Sequence, residues 1–414
     1  MESSNEQKIV ILGAGQAAGT AVVTLRQMGH EGPITLVGDE AAPPYQRPPL
    51  SKAYFKGELP EARLYVKPAG FYDEKNVTLK LGQRAVSLDR TGKAVTLESG
   101  EVLPYDKLII ATGSRPRVIP VAGADLDGVM VLRTLEDVDK LQPLATRGKR
   151  LVVVGAGYIG LEAAAVARQL GLEVTVLEAM DRVLARVTSP VISEFYQEAH
   201  RSAGVDVRLN ARMKGFVGEG GHLTGVEMED GEVIPADIVL VGIGILPNQE
   251  LAEEAGLTCE NGINTDAQAR TSDPDIYAIG DCANRVIVQY GHRGRLESVH
   301  NAIETAKIAA ASICGKPAPA LDAPWFWSDQ YDMKLQTAGL LAGFDRAVVR
   351  GDMSARKFSV WYLRDGEFLA LDAVNMPGEF MAAKRLVGKG VRLDAEALKD
   401  PSSDLKLMIA GAMA

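Results

Sequence analysis

The strongest constraint on this chain is that it carries the same folding unit twice. Residues 8–13 read KIVILG and residues 150–155 read RLVVVG. Both are short β-branched runs, which suit strands buried on both faces. Each runs into a glycine-rich turn, Gly13-Ala14-Gly15-Gln16-Ala17-Ala18 in the first copy and Gly155-Ala156-Gly157-Tyr158-Ile159-Gly160 in the second. Each turn opens a helical pattern that stops at a glycine, Gly29 or Gly171, and both turn and stop recur 142 residues later. A second strand follows, Ile34–Val37 or Val174–Leu177. Two in-register strand–turn–helix–strand units predict an α/β chain with two Rossmann-like dinucleotide-binding domains.

The turn chemistry is specific. The first glycine permits the tight turn, the second lets backbone approach a pyrophosphate, and a small third residue lets helix and strand pack closely. The phosphates then rest on free N–H groups at the helix N-terminus. The copies differ where a ribose would lie. Glu178 ends the second strand of copy two, 23 residues after Gly155. A carboxylate there accepts hydrogen bonds from a ribose diol and repels a 2′-phosphate, which predicts NADH over NADPH. Arg182 or Arg186 offers a phosphate partner in the opposite sense, and a solvated strand end would also explain the acid. In copy one Gly38 takes the equivalent place and the acid is displaced by one residue, to Asp39.

Composition narrows the function. With Lys plus Arg at 45 and Asp plus Glu at 54, the net charge is −9, which disfavours non-specific nucleic-acid binding. The three cysteines, Cys259, Cys282 and Cys314, are odd in number and widely spaced. That argues against a disulfide framework and against a metal or iron–sulfur site built by this chain. Residues Met1 to Gln7 lack an apolar segment and no apolar run approaches about 18 residues, so the expectation is a cytoplasmic protein with no signal peptide and no membrane span.

Several longer motifs carry a family resemblance: Tyr45-Gln-Arg-Pro-Pro-Leu-Ser-Lys52, Ala111-Thr112-Gly113, Leu132-Arg-Thr-Leu-Glu-Asp137, Gly157-Tyr-Ile-Gly-Leu-Glu162, Ala278-Ile-Gly-Asp281, Glu297-Ser-Val299 and Trp325-Phe-Trp-Ser-Asp-Gln330. Over roughly residues 8 to 385 the chain resembles the FAD-dependent NADH:ferredoxin reductases of bacterial cytochrome P450 and aromatic-ring dioxygenase systems. The resemblance implies a glutathione-reductase-like fold. A split FAD-binding domain (1–118 and 247–321) would enclose an NAD-binding domain (119–246), followed by a C-terminal α+β domain (322–414). The sequence supports this layout through a break near Gly148, through Pro247 ending the strand-like run Ile238–Ile245, and through the linker-like Lys316-Pro-Ala-Pro-Ala320. Beyond it, Phe358–Leu363 and Phe368–Val374 flank Asp365-Gly366, a hairpin signal.

The resemblance also implies roles. Gly13, Gly15, Ala17 and Ala18 would hold the FAD pyrophosphate, with Asp39 near the adenosine ribose, Ala85 on the adenine side and Arg47 a further pyrophosphate candidate. Ala111, Thr112 and Gly113 would form the crossing between domains, and Arg133 would lie near the cofactor or instead pair with Glu136 or Asp137. Asp281 would accept from the ribityl chain, although an Asp at that place also caps a following segment. The helical pattern Ser298–Ile313, with Val299, Ala302, Ile303, Ala306 and Ile308 to Ala310 on its apolar face, would aim Val299 and His300 N–H groups at the flavin pyrimidine. Gly155, Gly157, Tyr158, Ile159, Gly160, Glu178, Arg186 and Gly244 would bind NADH. Lys52 and Glu162 would meet near flavin N5, and Thr20 replaces the acid in copy one. Trp327 would cover the flavin edge, while Trp325 reads equally as core. Lys307, Lys384 and Arg385 form a candidate basic patch for an acidic partner.

Flavoprotein disulfide reductases share both fingerprints but need a redox cysteine pair, and no CxxC or CxxxxC exists here. The expected function is hydride transfer from NADH to FAD and then single electrons to a [2Fe–2S] ferredoxin, with no metal in the chain itself. The alternatives are a reductase of rubredoxin or another acceptor, and an NADH-sensing flavoprotein of the same fold.

Overall fold

The computed structural model describes residues 6–413. The chain forms two compact units. The first comprises the residues up to Arg47, Pro60–Arg115 and Ile245–Asp322. The second comprises Pro48–Leu59, Pro116–Gly244 and Ala323 onward.

The first unit is built on a five-stranded parallel sheet, in the order Ile276–Ala278, Lys107–Ile110, Ile9–Leu12, Ile34–Gly38, Val77–Leu81. Strand alternation sends Ile9 and Ile11 into one apolar cluster and Val10 and Leu12 into another. The helices Gln16–Gln27 and Val299–Ile313 pack in the first cluster. An antiparallel meander, Ala85–Asp89, Ala94–Leu97 and Val102–Pro104, lies in the same unit.

The second unit repeats the parallel architecture: Asp206–Arg208, Glu173–Leu177, Arg150–Val154, Ile238–Val241, Val129–Met130. The first strand of each repeat occupies the middle of its sheet. The run Ile238–Ile245, expected as a single strand ending at Pro247, is broken. Its first part stops at Val241, and Ile245–Pro247 forms a separate short strand that includes the proline. The break falls at Gly242-Ile243-Gly244, where Gly244 has φ +103°.

The C-terminal part of this unit is a five-stranded antiparallel sheet, ordered Trp325–Gln330, Met333–Gly339, Glu367–Val374, Lys357–Arg364, Arg346–Asp352. Helices Pro377–Lys384, Ala395–Lys399 and Leu405–Met413 follow it. Asp365 and Gly366 both have positive φ, 50° and 80°, as a two-residue hairpin loop requires. Residues 316–320 carry no regular structure.

Candidate functional site: two uncapped glycine turns and a buried ion pair

Each fingerprint turn is shaped by its neighbouring strand as well as by the space it leaves open. A Cβ at Gly13 would fall 2.2 Å from the Ala111 carbonyl oxygen, and one at Gly155 would fall 2.5 Å from that of Gly242. Both glycines have positive φ, so the first position of each motif is fixed by backbone crowding. The second glycine is the opposite case. A Cβ at Gly15 or Gly157 would meet nothing within 4 Å. Each is the N-cap of its helix, and neither helix has a side-chain cap. Open space beside uncapped N–H groups suits a pyrophosphate. The two helix starts therefore fit the adenine dinucleotides FAD and NADH.

In the first unit, Ala17 and Ala18 are buried on the first turn of the helix. A Cβ at Gly280 would come 3.1 Å from that of Ala17, so the fingerprint and the Gly280–Asp281 turn are neighbours. Asp281 accepts from Ser114 Oγ at 3.0 Å. Ala111 to Gly113 follow the strand Lys107–Ile110, and Thr112 exchanges two hydrogen bonds with Asn248, at 2.7 and 2.9 Å. Asp39 is exposed and lies 3.8 Å from Arg84. Its displacement has a steric cause: a Cβ at Gly38 would sit 2.4 Å from the Ala14 Cβ. Ala85 is half-buried at the start of its strand. Arg47 donates to Glu40 at 2.6 Å and to the Tyr45 hydroxyl at 2.8 Å. Burial opposes its charge, but Tyr45, Glu40 and the field of Asp281 outweigh this and raise its pKa.

The helix Val299–Ile313 begins as expected, with Ser298 Oγ accepting from Asn301 N at 3.1 Å. Its inner face is more polar than expected. Asn301, Glu304 and Thr305 are buried, whereas Val299 and Ile303 are only half-buried. The reason is Arg285, itself 8% exposed, which pairs with Glu304 and donates to Asn301 Oδ1 at 3.0 Å. Thr305 Oγ1 accepts from Gly280 N at 2.9 Å. His300 Nε2 lies 3.8 Å from Asp322.

In the second unit, Glu178 accepts from Ala156 N at 2.8 Å and from Met180 N at 2.9 Å, which fixes its carboxylate beside the second glycine turn. Ile159 is exposed on the first helical turn, and Tyr158 packs against Phe326 with ring centroids 4.6 Å apart. Arg182 braces its own loop, donating to Thr188 O, Ser193 Oγ and Ala185 O, so the structure withdraws it as a phosphate partner. Arg186 is exposed, and its guanidinium comes 3.7 Å from where a Cβ of Gly244 would lie. Arg133 is half-buried. Asp137 accepts from the backbone N–H groups of Arg133 and Thr134, and Glu136 pairs with Lys140.

Lys52 and Glu162 are brought together. Lys52 Nζ lies 2.6 Å from Glu162 Oε2, in a pair whose carboxylate side chain is 4% exposed. Ser51 Oγ donates to the same oxygen at 2.6 Å, and Ser328 Oγ donates to Oε1 at 2.6 Å. Ser51 and Ser328 escape motif reasoning, although period-2 alternation offers a signal: Phe326, Ser328 and Gln330 share one strand face, and Trp325 and Trp327 share the other. Those two tryptophans are half-buried, with centroids 5.5 Å apart. Lys384 Nζ lies over the Trp325 ring at 5.4 Å, while Lys307 and Arg385 are exposed.

All three cysteines are free. Cys282 is fully buried and donates to Ile110 O and Ile279 O, and burial pushes its pKa up. Among the described residues no cluster of His, Cys, Asp and Glu could hold a metal ion, and no helix is long and apolar enough to cross a membrane.

Residues 7–306 match the pyridine nucleotide-disulphide oxidoreductase family and residues 325–409 match a reductase C-terminal domain. The chain is 46% identical to rhodocoxin reductase of Rhodococcus erythropolis over 402 residues, 97% of this chain and 94% of that protein. It is 43% identical to putidaredoxin reductase of Pseudomonas putida, over 98% of this chain and 97% of that one. Among solved structures, the reductase in the covalent putidaredoxin reductase–putidaredoxin complex superposes with a TM-score of 0.96 at 43% identity, covering 99% of both chains.

Proposed function

This chain belongs to the pyridine nucleotide-disulphide oxidoreductase family, and on that premise we propose that it works as an FAD-dependent NADH:ferredoxin reductase of a bacterial cytochrome P450 or aromatic-ring dioxygenase system. The observation that carries the proposal is the pairing of two open, uncapped glycine turns with three cysteines that are all free thiols. The chain holds two dinucleotides and has no dithiol to receive their electrons. FAD held at the first glycine turn would supply the hydride-accepting and single-electron-donating chemistry that links NADH to a [2Fe–2S] ferredoxin.

The protein's contribution is orientation and electrostatics. We assign residues 1–118 and 247–321 to FAD binding, 119–246 to NADH binding and 322–414 to the C-terminal domain. Gly13, Gly15, Ala17 and Ala18 hold the FAD pyrophosphate, supported by Arg47, and Arg133 lies near the cofactor. Asp39 and Ala85 serve the adenosine half, Ala111 to Gly113 line the cofactor at the crossing between domains, and Asp281 and Val299 serve the ribityl–flavin half. A helix N-terminus of about half a positive charge at Val299 favours the negative charge of a reduced flavin. Gly155 to Gly160, Glu178, Arg186 and Gly244 hold NADH. Lys52 faces the flavin, Glu162 offsets part of its charge, and Trp327 covers the flavin edge. We place the protein in the cytoplasm.

Anaerobic titration tests this directly. The purified protein is expected to be yellow, to bleach with NADH well before NADPH, and to reduce cytochrome c many-fold faster when a putidaredoxin-type [2Fe–2S] ferredoxin is added. A preparation that retains no flavin, or one stimulated by rubredoxin and not by the ferredoxin, overturns the proposal.

A further inference from the structure

Glu162 is the inner end of a row of hydrogen bonds that runs away from the glycine turn. Ser328 Oγ donates to Glu162 Oε1 at 2.6 Å, and Gln330 Nε2 donates to Ser328 Oγ at 3.2 Å. Gln330 Oε1 lies 2.8 Å from His200 Nε2, and the Tyr331 hydroxyl lies 3.1 Å from His200 Nδ1. Ser328 and His200 are fully buried and Gln330 is 1% exposed. Polar side chains this deep are costly unless each donor and acceptor is matched.

The direction of the row follows from its end. A carboxylate only accepts, so Ser328 spends its one proton on Glu162 and must accept from Gln330. That turns the Gln330 amide nitrogen inward and its oxygen toward His200, so His200 Nε2 carries the proton. Burial drives the His200 pKa down to about 4, so the ring is neutral and Nδ1 accepts from Tyr331. Every donor therefore points toward Glu162. An amide in the middle cannot hand a proton along, so the row is a fixed line of dipoles and no conduit. Its outer anchor is held firmly. Tyr331 sits at φ +56°, an uncommon place for a bulky residue, with its ring centroid 5.1 Å from that of His200.

We propose that Ser328, Gln330 and His200 are positioning residues, pinning the Glu162 carboxylate and through it Lys52 Nζ in the single geometry that hydride transfer requires. Ser51 and Lys52 engage only Oε2, and among the described residues Ser328 alone donates to Oε1, so its loss frees the carboxylate to rotate. This inference rests on the assignment of Lys52 and Glu162 to the flavin face.

The test uses the FAD-loaded protein and the variants Ser328→Ala, His200→Leu, Glu162→Gln and Lys52→Met, with each relay variant, Ser328→Ala or His200→Leu, also combined with Glu162→Gln. The readouts are the limiting rate of flavin bleaching at saturating NADH, the NADH Kd, the flavin midpoint potential and the thermal midpoint. Ser328→Ala should slow bleaching about tenfold, the scale of one hydrogen bond to a charged group, and His200→Leu, which removes a neutral bond further out, about threefold. Their NADH Kd should stay within about twofold of the parent. The potential should move in the same direction as in Glu162→Gln, and neither change should slow bleaching further in the Glu162→Gln background. An equal loss in that background shows mere structural damage and overturns the proposal, as does a parental rate in both relay variants while Glu162→Gln is slow. If Glu162→Gln and Lys52→Met themselves leave rate and potential unchanged, the flavin-face assignment falls and the relay with it. Should His200→Leu not fold, Ser328→Ala decides alone.

Discussion

Removing the Glu304 carboxylate should cost the first unit about as much stability as a buried ion pair can, and the cost should be recoverable. Arg285 and Glu304 have side chains 10% and 8% exposed. Arg285 Nε donates to Asn301, and Glu304 Oε1 accepts from Asp322 N at 3.0 Å. Glu304→Ala strands a buried guanidinium, which costs about 3–5 kcal/mol. The freed Asp322 amide adds little, because Asp322 is exposed and water can reach it. At a urea slope of about 2–3 kcal/mol per molar, the midpoint should fall by roughly 1.5 M with the slope unchanged. Glu304→Gln keeps the shape and should cost about 2 kcal/mol. The double variant Arg285→Met with Glu304→Leu removes both charges, leaving the buried Asn301 oxygen short of a donor and the water-accessible Asp322 N–H short of an acceptor. It should therefore lie within about 1–2 kcal/mol of the parent, far less than the two single changes summed. Because Arg285 follows the Gly280–Cys282 turn and Glu304 lies on the helix that starts at Val299, FAD retention on dilution should fall in step with stability. A midpoint drop in Glu304→Ala of less than about 0.3 M, or a double variant worse than either single, would refute the reasoning.

Three further outcomes can be checked. Glu178→Ala should raise the KM for NADH about tenfold and narrow the NADH over NADPH preference, since one charged acceptor for the ribose diol is lost; initial rates with both coenzymes measure it. Asp372 accepts from Thr188, Thr337 and Tyr362 hydroxyls in full burial, and burial wins over those bonds to raise its pKa. Its folded form thus keeps a proton the unfolded chain releases near pH 4, so this contribution is whole below that value and is lost as pH rises through the folded pKa. Asp372→Asn should flatten that decline, read from urea midpoints across about pH 5 to 9. Alkylation near neutral pH should leave ferredoxin reduction intact, because burial raises all three thiols, Cys259 to about 11; activity lost in step with one modified thiol would contradict this.

What the sequence disclosed was local. The two glycine turns, the acid closing the second strand of copy two, the helical pattern from Ser298 and the Asp365-Gly366 hairpin are each written within a few neighbouring residues, where spacing and turn chemistry decide the conformation. Lys52 with Glu162 became visible only through resemblance, because 110 residues separate them. Arg285 was invisible: on a strand it reads as a surface charge, and only the fold delivers Glu304 and Asn301 to it. His200 was silent for the same reason, with its partner 130 residues away. The single strand expected over Ile238–Ile245 failed because two glycines within an apolar run outweigh its β-propensity.

The crowding of Ala14 against Gly38 has an evolutionary corollary. Where the NADH-side copy carries its acid, the other copy has no room for any side chain at all. Converting one coenzyme preference into the other by exchanging a single residue is therefore barred there. The second copy holds alanine and acid side by side, Ala156 next to Glu178, so an acid at position 38 would need the backbone there to move away from Ala14 as well as the residue to change, and the two copies could trade nucleotides only through coordinated changes.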